Sequence, residues 1–259
     1  VACLNAVLEA MSRWTVPCVL MPGNHDQVDW VGAEHALTPL ANSYRILAAP
    51  APLDGGGGDG GGRRNDIREG TTSYHAGPLI LSRPTKFMNA LFVPHIRDKS
   101  TMRAILSSRE ARRSSALFVH ADVRGASMND MIKSQHGISA GTFPSDKRVY
   151  SGHFHKPHVV RTGGSGGDDD GVSIRYVGSP YQTSLAEAGQ VKSLLVVDSS
   201  RGWECVEEVP IDVGRRYHRV SSVRRFLEFG GGPNDDGGLS MDSFRKGDKV
   251  AVTVCQLEL

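Results

Sequence analysis

The sequence predicts an α+β fold in which two packed β-sheets are flanked by helices. Two observations favour this class. Short apolar segments typical of strands occur along the whole chain and alternate with only a few helical patterns, and the later part is rich in strands. Two packed sheets fit this pattern better than a doubly wound parallel sheet does. The 259 residues suffice for one large domain, or for one domain with a small appendage.

The first forty residues predict two helices and one strand. Residues 1–14 form an amphipathic helical pattern, because apolar side chains recur at helical spacing at Val1, Leu4, Leu8 and Met11. Residues 18–21 are typical of a short buried strand, and Pro22-Gly23 ends it. Residues 31–41 predict a second, short helix.

The middle and the end of the chain predict mostly strands. Residues 78–81 and 87–93 predict a hairpin around Arg83-Pro84-Thr85, and the basic residues 99–113 are compatible with a helix. Further apolar or alternating segments predict strands at 116–119, before Ser151, and at 173–177, 194–197, 203–206 and 249–254.

Three glycine-rich segments, 55–62, 163–171 and 230–238, interrupt this pattern. The first lacks the G-K-[ST] ending of a phosphate-binding P-loop. We therefore expect all three to be expanded loops between core elements.

Composition sets few limits on function. With 30 Lys and Arg against 28 Asp and Glu, the formal charge is +2, which neither requires nor excludes nucleic acid as a partner. The four cysteines are scattered, which indicates reduced thiols in an intracellular protein without choosing between cytoplasm, nucleus and organelle. No apolar run approaches the roughly 18 residues of a membrane span, so no membrane partner is expected.

Imidazole and amide groups follow three of the predicted strands. They occur in Asn24-His25-Asp26, at His120 and in Gly152-His153-Phe154-His155. In an extended segment, His-x-His places both rings on the same side of the backbone, so two neighbouring metal ions can each take one. The sequence therefore predicts a metal site at the edge of a sheet. Mixed nitrogen and oxygen ligation favours Mn²⁺, with Fe or Zn as alternatives.

These segments resemble three motifs of the calcineurin-like metallophosphoesterases: G-N-H-[DE] at 23–26, a lone histidine after a strand at 120, and G-H-x-H at 152–155. The resemblance implies a four-layer sandwich of two mixed sheets flanked by helices, and a hydroxide shared by two divalent metal ions that attacks a phosphodiester. It implies that Asn24, His120 and His153 ligate one ion and His155 the other. His25 would contact the phosphate and protonate the leaving oxygen, with Asp26 orienting it.

Other segments resemble the SbcD-type DNA repair exonucleases within that superfamily. They are Phe92–Asp98, Lys156-Pro157-His158, Tyr176–Tyr181 followed by Glu187, and Lys192–Asp198. The resemblance implies a catalytic domain over 1–212 and the start of a DNA-capping domain over 213–259. It also implies DNA as substrate, a homodimer and a coiled-coil ABC-type ATPase as partner. The basic side chains expected to hold the phosphate backbone are Lys156, Arg161, Arg215 and Arg216.

The other two motifs of the superfamily, D-x-H and G-D-x-x-D, do not occur upstream of Asn24. They supply the remaining metal ligands and the bridging carboxylate, so we expect an N-terminally truncated domain with an incomplete site. Two alternatives to a DNA nuclease stay open. One is a phosphodiesterase or phosphatase for small molecules, nucleotides or phosphoproteins, and the other is an inactive scaffold.

Overall fold

The computed structural model describes residues 6, 9–11, 18–28, 34–43, 78–161, 171–220 and 245–252. It divides the chain into two compact units, Val1–His120 and Ala121–Leu259. Several sheets and few helices make up the regular structure of the described residues, which confirms the α+β class. The four-layer arrangement and the domain boundary after residue 212 stay predictions. The three glycine-rich segments lie outside the described residues, apart from Gly171.

The described residues of the first unit include five strands: β1 (Val19–Leu20), β2 (Leu79–Ile80), β3 (Thr85–Phe87), β4 (Ala90–Val93) and β5 (Ala116–His120). β1 pairs with β2 in parallel, β3 with β4 antiparallel, and β4 with β5 in parallel. The register places Val93 opposite Val119. The carboxyl ends of β4 and β5 therefore lie side by side. His95 comes two residues after the end of β4, and His120 is the last residue of β5.

The predicted hairpin is wrong in its first strand and in its turn. Residues 79–80 pair with β1, and the hairpin is formed by β3 and β4 around Met88 and Asn89. Both turn residues have positive φ, 46° and 61°. A two-residue hairpin turn of the I′ kind requires this backbone because its twist matches that of the flanking strands.

The helices predicted over 31–41 and 99–113 differ from the observed ones in their bounds. In the 1–14 segment, the described residues 6 and 9–11 are helical. The helix predicted over 31–41 is wrong in its start, because α1 covers Thr38–Ser43 and His35 forms a bridge with Gln27. The 99–113 segment forms two helices, α2 (Lys99–Leu106) and α3 (Arg109–Arg113). They separate because Ser108 is extended and caps α3 through a bond from Ala111 N–H.

Seven strands lie in the part of the second unit that the structure describes: β6 (Arg148–Gly152), β7 (His158–Arg161), β8 (Ser173–Tyr176), β9 (Lys192–Asp198), β10 (Glu204–Ile211), β11 (Tyr217–Val220) and β12 (Lys249–Val252). β8 pairs with β6 in parallel and with β7 antiparallel. β9 and β10 form an antiparallel pair, and β11 and β12 a parallel one. The strands predicted before Ser151 and at 173–177, 194–197 and 203–206 are confirmed, as is the described part of the strand predicted at 249–254, whereas β7 and β11 were not predicted.

Buried apolar side chains from the strands form the interior of each unit. In the first unit they include Leu91, Val93, Leu117 and Val119, and in the second Val149, Ile174 and Tyr176. Cys18 and Cys205 are free thiols, and the other two cysteines lie outside the described residues. None of the helices in the described part of the chain has the length and apolar character of a membrane span.

Candidate metal centre

Asn24 and His120, 96 residues apart in the chain, meet in the first unit. Asn24 lies in the turn that follows β1, and His120 ends β5. The ring nitrogen Nε2 of His120 lies 2.8 Å from the side-chain oxygen Oδ1 of Asn24. Two of the three predicted ligands of one ion therefore already face each other.

Gly23 is required for this approach. A Cβ atom at position 23 would lie 2.6 Å from Cε1 of His120, closer than side-chain contacts allow. The turn is closed by Asp26, whose carboxylate accepts a 2.7 Å hydrogen bond from Gly23 N–H. Asp26 thus fixes the turn that carries His25, whose side chain is exposed. The role of Asp26 in orienting the His25 ring stays a prediction.

His95 belongs to the same group, although motif reasoning missed it. Its ring lies edge-on to that of His120, with ring centroids 5.8 Å apart. One ligand nitrogen of each ring lies within 4.8 Å of the other. Burial lowers the pKa of His95. A hydrogen bond with the His120 backbone raises it, but the effect of burial is larger. The neutral imidazole that results is the form that ligates metals. The rule that pointed to His120, a histidine just after a strand, would have found His95.

The second unit carries the G-H-x-H motif at the end of β6. His153 has a φ of 96°, a backbone conformation that residues other than glycine rarely adopt. Its ring packs edge-on against Phe154, with centroids 4.7 Å apart. Such outliers persist only where surrounding structure holds them, and they cluster at functional sites.

The ring of His155 is oriented by two oxygens. Its Nδ1 lies 2.9 Å from Thr183 Oγ1 and 3.1 Å from Glu187 Oε1. Because Glu187 is a carboxylate and can only accept, Nδ1 is the atom that donates to it. Nε2 is therefore left as the ligand atom. Metal-binding histidines are commonly held by a carboxylate in this way.

A buried ion pair supports Glu187. The ammonium of Lys192 lies 2.7 Å from Glu187 Oε2, and the side chains are 3% and 8% exposed. Burial would raise the pKa of Glu187, but hydrogen bonds from Lys192, Thr183 and His155 lower it to about 2. Lys192 also donates to the backbone carbonyl of His155 at 2.8 Å. The pair thus holds both the ring and the backbone of His155.

His158 and Tyr176 hold the residues that follow His155 in place. Their rings stack at 4.7 Å with an 8° angle between planes. Nδ1 of His158 donates to the Lys156 carbonyl at 2.8 Å, so Nε2 accepts from Ser127 N–H at 2.9 Å. This bonding requires the neutral ring, and burial lowers the pKa of His158 accordingly.

This neutral ring predicts a pH dependence of stability. The folded state binds a proton on His158 less readily than the unfolded state does. The contribution of His158 to the free energy of unfolding is therefore present above its unfolded pKa of about 6.5, and it is lost as pH falls through its lower folded pKa. The free energy of unfolding in urea should therefore drop from pH about 7.5 to about 5.5, and less steeply in His158→Gln. Identical slopes for both proteins would contradict this account of His158.

The four predicted phosphate-binding side chains differ in their surroundings. Lys156 forms an ion pair with Asp130, and Arg216 lies 3.5 Å from the carboxylate of Asp248. Arg161, at the end of β7, and Arg215 are exposed. Two of these cations thus already have an acidic neighbour, and their contact with phosphate stays a prediction.

The donor set of the first unit fits a divalent cation. Two ligand atoms at adjacent corners of an octahedron, each about 2.1 Å from the ion, are about 3.0 Å apart. The 2.8 Å between Asn24 Oδ1 and His120 Nε2 is close to this spacing. Amide oxygen and imidazole nitrogen are also ligand types that Mn, Fe and Zn accept.

Comparison with known proteins gives a distant relationship. No protein-family model matches the chain. The chain is similar to the SbcD component of the SbcCD nuclease of Bacillus subtilis (strain 168), with 24% identity over 221 residues. The match includes 80% of this chain and 54% of that protein, so the chain spans about half the length of this relative. The similarity supports a relationship to SbcD-like nuclease proteins and leaves the activity of this chain to be tested.

Proposed function

We propose that this chain is the metal-binding part of a phosphodiester hydrolase that cleaves DNA, similar to the SbcD-type repair nucleases. The observation that carries the proposal is the 2.8 Å contact between Asn24 and His120, which joins two separate motifs at one point. The similarity to a nuclease component agrees with it. The fold proposed with it is the four-layer metallophosphoesterase sandwich, with a DNA-capping domain starting near residue 213.

In this proposal, Asn24, His120 and His153 bind one divalent ion and His155 binds a second. Mn²⁺ is the first choice, with Fe or Zn as alternatives. When bound, two such ions lower the pKa of water and neutralise charge on the phosphoryl oxygens. The exposed His25 is accessible to a bulky substrate. It donates a proton to the departing oxygen, as a general acid must at neutral pH.

The partners proposed are those of an SbcD-type nuclease. DNA binds through its phosphates at Lys156, Arg161, Arg215 and Arg216. Such contacts position the duplex without reading sequence. A second copy of the chain and a coiled-coil ABC-type ATPase complete the assembly in an intracellular compartment.

Cleavage of linear DNA with Mn²⁺, Mg²⁺ or a chelator tests the proposal. In the full-length protein, we expect Mn²⁺-dependent cleavage that falls by about 10²–10⁴ in His25→Asn, because the general acid is lost while the metal ligands remain. Mn²⁺ affinity should not change in that variant. The matched control is His136→Asn, which replaces an exposed histidine of the second unit.

Two other results would contradict the proposal in different ways. Mn²⁺-dependent hydrolysis of bis(p-nitrophenyl) phosphate without cleavage of DNA would favour a phosphodiesterase for small molecules. Binding of no metal and cleavage of neither substrate would favour the scaffold alternative.

A further inference from the structure

His95 is placed by the same elements that place Asn24 and His120. It follows β4, and β4 is the parallel neighbour of β5, which ends at His120. Since Val93 and Val119 are opposite each other, His95 and His120 leave the sheet at the same edge. The position of His95 is therefore a consequence of strand register.

Two hydrogen bonds also fix His95 to the turn that carries Asn24. Its N–H donates to the carbonyl of Pro22 at 3.0 Å, just before the turn. Its carbonyl accepts from Nε2 of Gln27 at 2.8 Å, just after the turn. The two bonds bracket residues 23–26 and therefore tie the backbone of His95 to the turn that carries Asn24.

The ring of His95 brings a ligand nitrogen close to one of His120. The two planes are nearly perpendicular, at 87°, and a ligand nitrogen of each lies within 4.8 Å of the other. Two ligands on opposite sides of one ion are about 4.2 Å apart when each bond is about 2.1 Å. A small rotation of either ring therefore suffices for both to reach one ion.

We propose that His95 is an additional ligand of the ion held by Asn24 and His120, and that it shifts the preference of this site from Mn²⁺ towards Zn²⁺. This inference rests on the proposed metal site. The reason is chemical: a further imidazole favours Zn²⁺, whereas Mn²⁺ is better served by carboxylate, carbonyl and water oxygens.

Calorimetric titration with Zn²⁺ and with Mn²⁺ tests the proposal. The proteins are the unchanged chain, His95→Phe, His95→Gln, His120→Ala and the exposed-histidine control His136→Gln. Phenylalanine keeps a flat ring against His120, and glutamine keeps a polar side chain if phenylalanine disturbs folding. Loss of an outer-shell partner already weakens metal affinity by about 10–100-fold, so we expect Zn²⁺ affinity to fall by about 100-fold in both His95 variants.

The expected pattern is a larger loss for Zn²⁺ than for Mn²⁺ in the His95 variants, with no change in the control. Co²⁺ provides a second readout, because loss of an imidazole ligand alters its visible absorption bands. If His120→Ala abolishes binding while both His95 variants bind Zn²⁺ and Mn²⁺ as the unchanged chain does, the role of His95 is wrong and the proposed function stands. If the unchanged chain binds neither ion, both proposals are wrong.

Discussion

Replacing His153 by alanine or by glycine is expected to lower metal-dependent cleavage at least about a hundredfold, because both changes remove a proposed metal ligand. The two variants should nevertheless differ in stability. The φ of 96° at this position is unfavourable for any residue with a Cβ and is accessible to glycine. We therefore expect the glycine variant to be more stable than the alanine variant by about 1 kcal/mol.

Urea unfolding and a Mn²⁺-dependent cleavage assay measure the two effects separately. His136→Ala is the matched control, since that histidine is exposed and belongs to no proposed site. Unchanged turnover in both His153 variants would exclude the ligand role. An alanine variant at least as stable as the glycine variant would show that the backbone at this position is not strained.

Replacing Lys192 by methionine should be among the most destabilising single changes in the second unit. The side chain has a similar length but leaves the carboxylate of Glu187 buried without its cation. Removing one partner of a buried ion pair costs about 3–5 kcal/mol. The double variant Lys192→Met with Glu187→Gln should recover part of this loss, because the uncompensated charge is then gone.

The free energy of unfolding of the two single variants and the double variant measures this coupling. Lys147→Met is the control, because Lys147 pairs with the mostly exposed Asp146. Exposed pairs contribute about 0–1 kcal/mol, so the control should barely change. A Lys192 variant as stable as the unchanged protein would mean that Glu187 does not depend on its cation.

Strands were predictable where apolar side chains follow one another or alternate with polar ones over at least four residues. β5, β8 and β9 were each predicted near their observed positions. The position of the hairpin turn was harder to predict from the sequence. The turn at Met88 and Asn89 contains no glycine, and its positive φ values follow from strand pairing. The prediction therefore assigned the hairpin to the wrong first strand.

The candidate site likewise contains residues that a local pattern predicts and contacts that depend on the tertiary fold. Asn24 and His120 were predictable because each follows an apolar run within a recognisable motif, and the structure brings them together. His95 also follows an apolar run, but its approach to His120 depends on the register of β4 and β5, which no local pattern encodes. The contacts of Glu187 with His155 and Lys192 join residues that are 32 and 5 positions apart. No local pattern encodes such contacts, because they depend on how β8 and β9 are connected.

A crystal structure of the protein with Mn²⁺, with anomalous scattering measured at the manganese edge, would show whether Asn24 and His120 hold a metal ion. We expect an anomalous peak within bonding distance of Asn24 Oδ1 and His120 Nε2, in place of the hydrogen bond that now joins them. Manganese found only elsewhere, or found nowhere while that hydrogen bond stays intact, would contradict it.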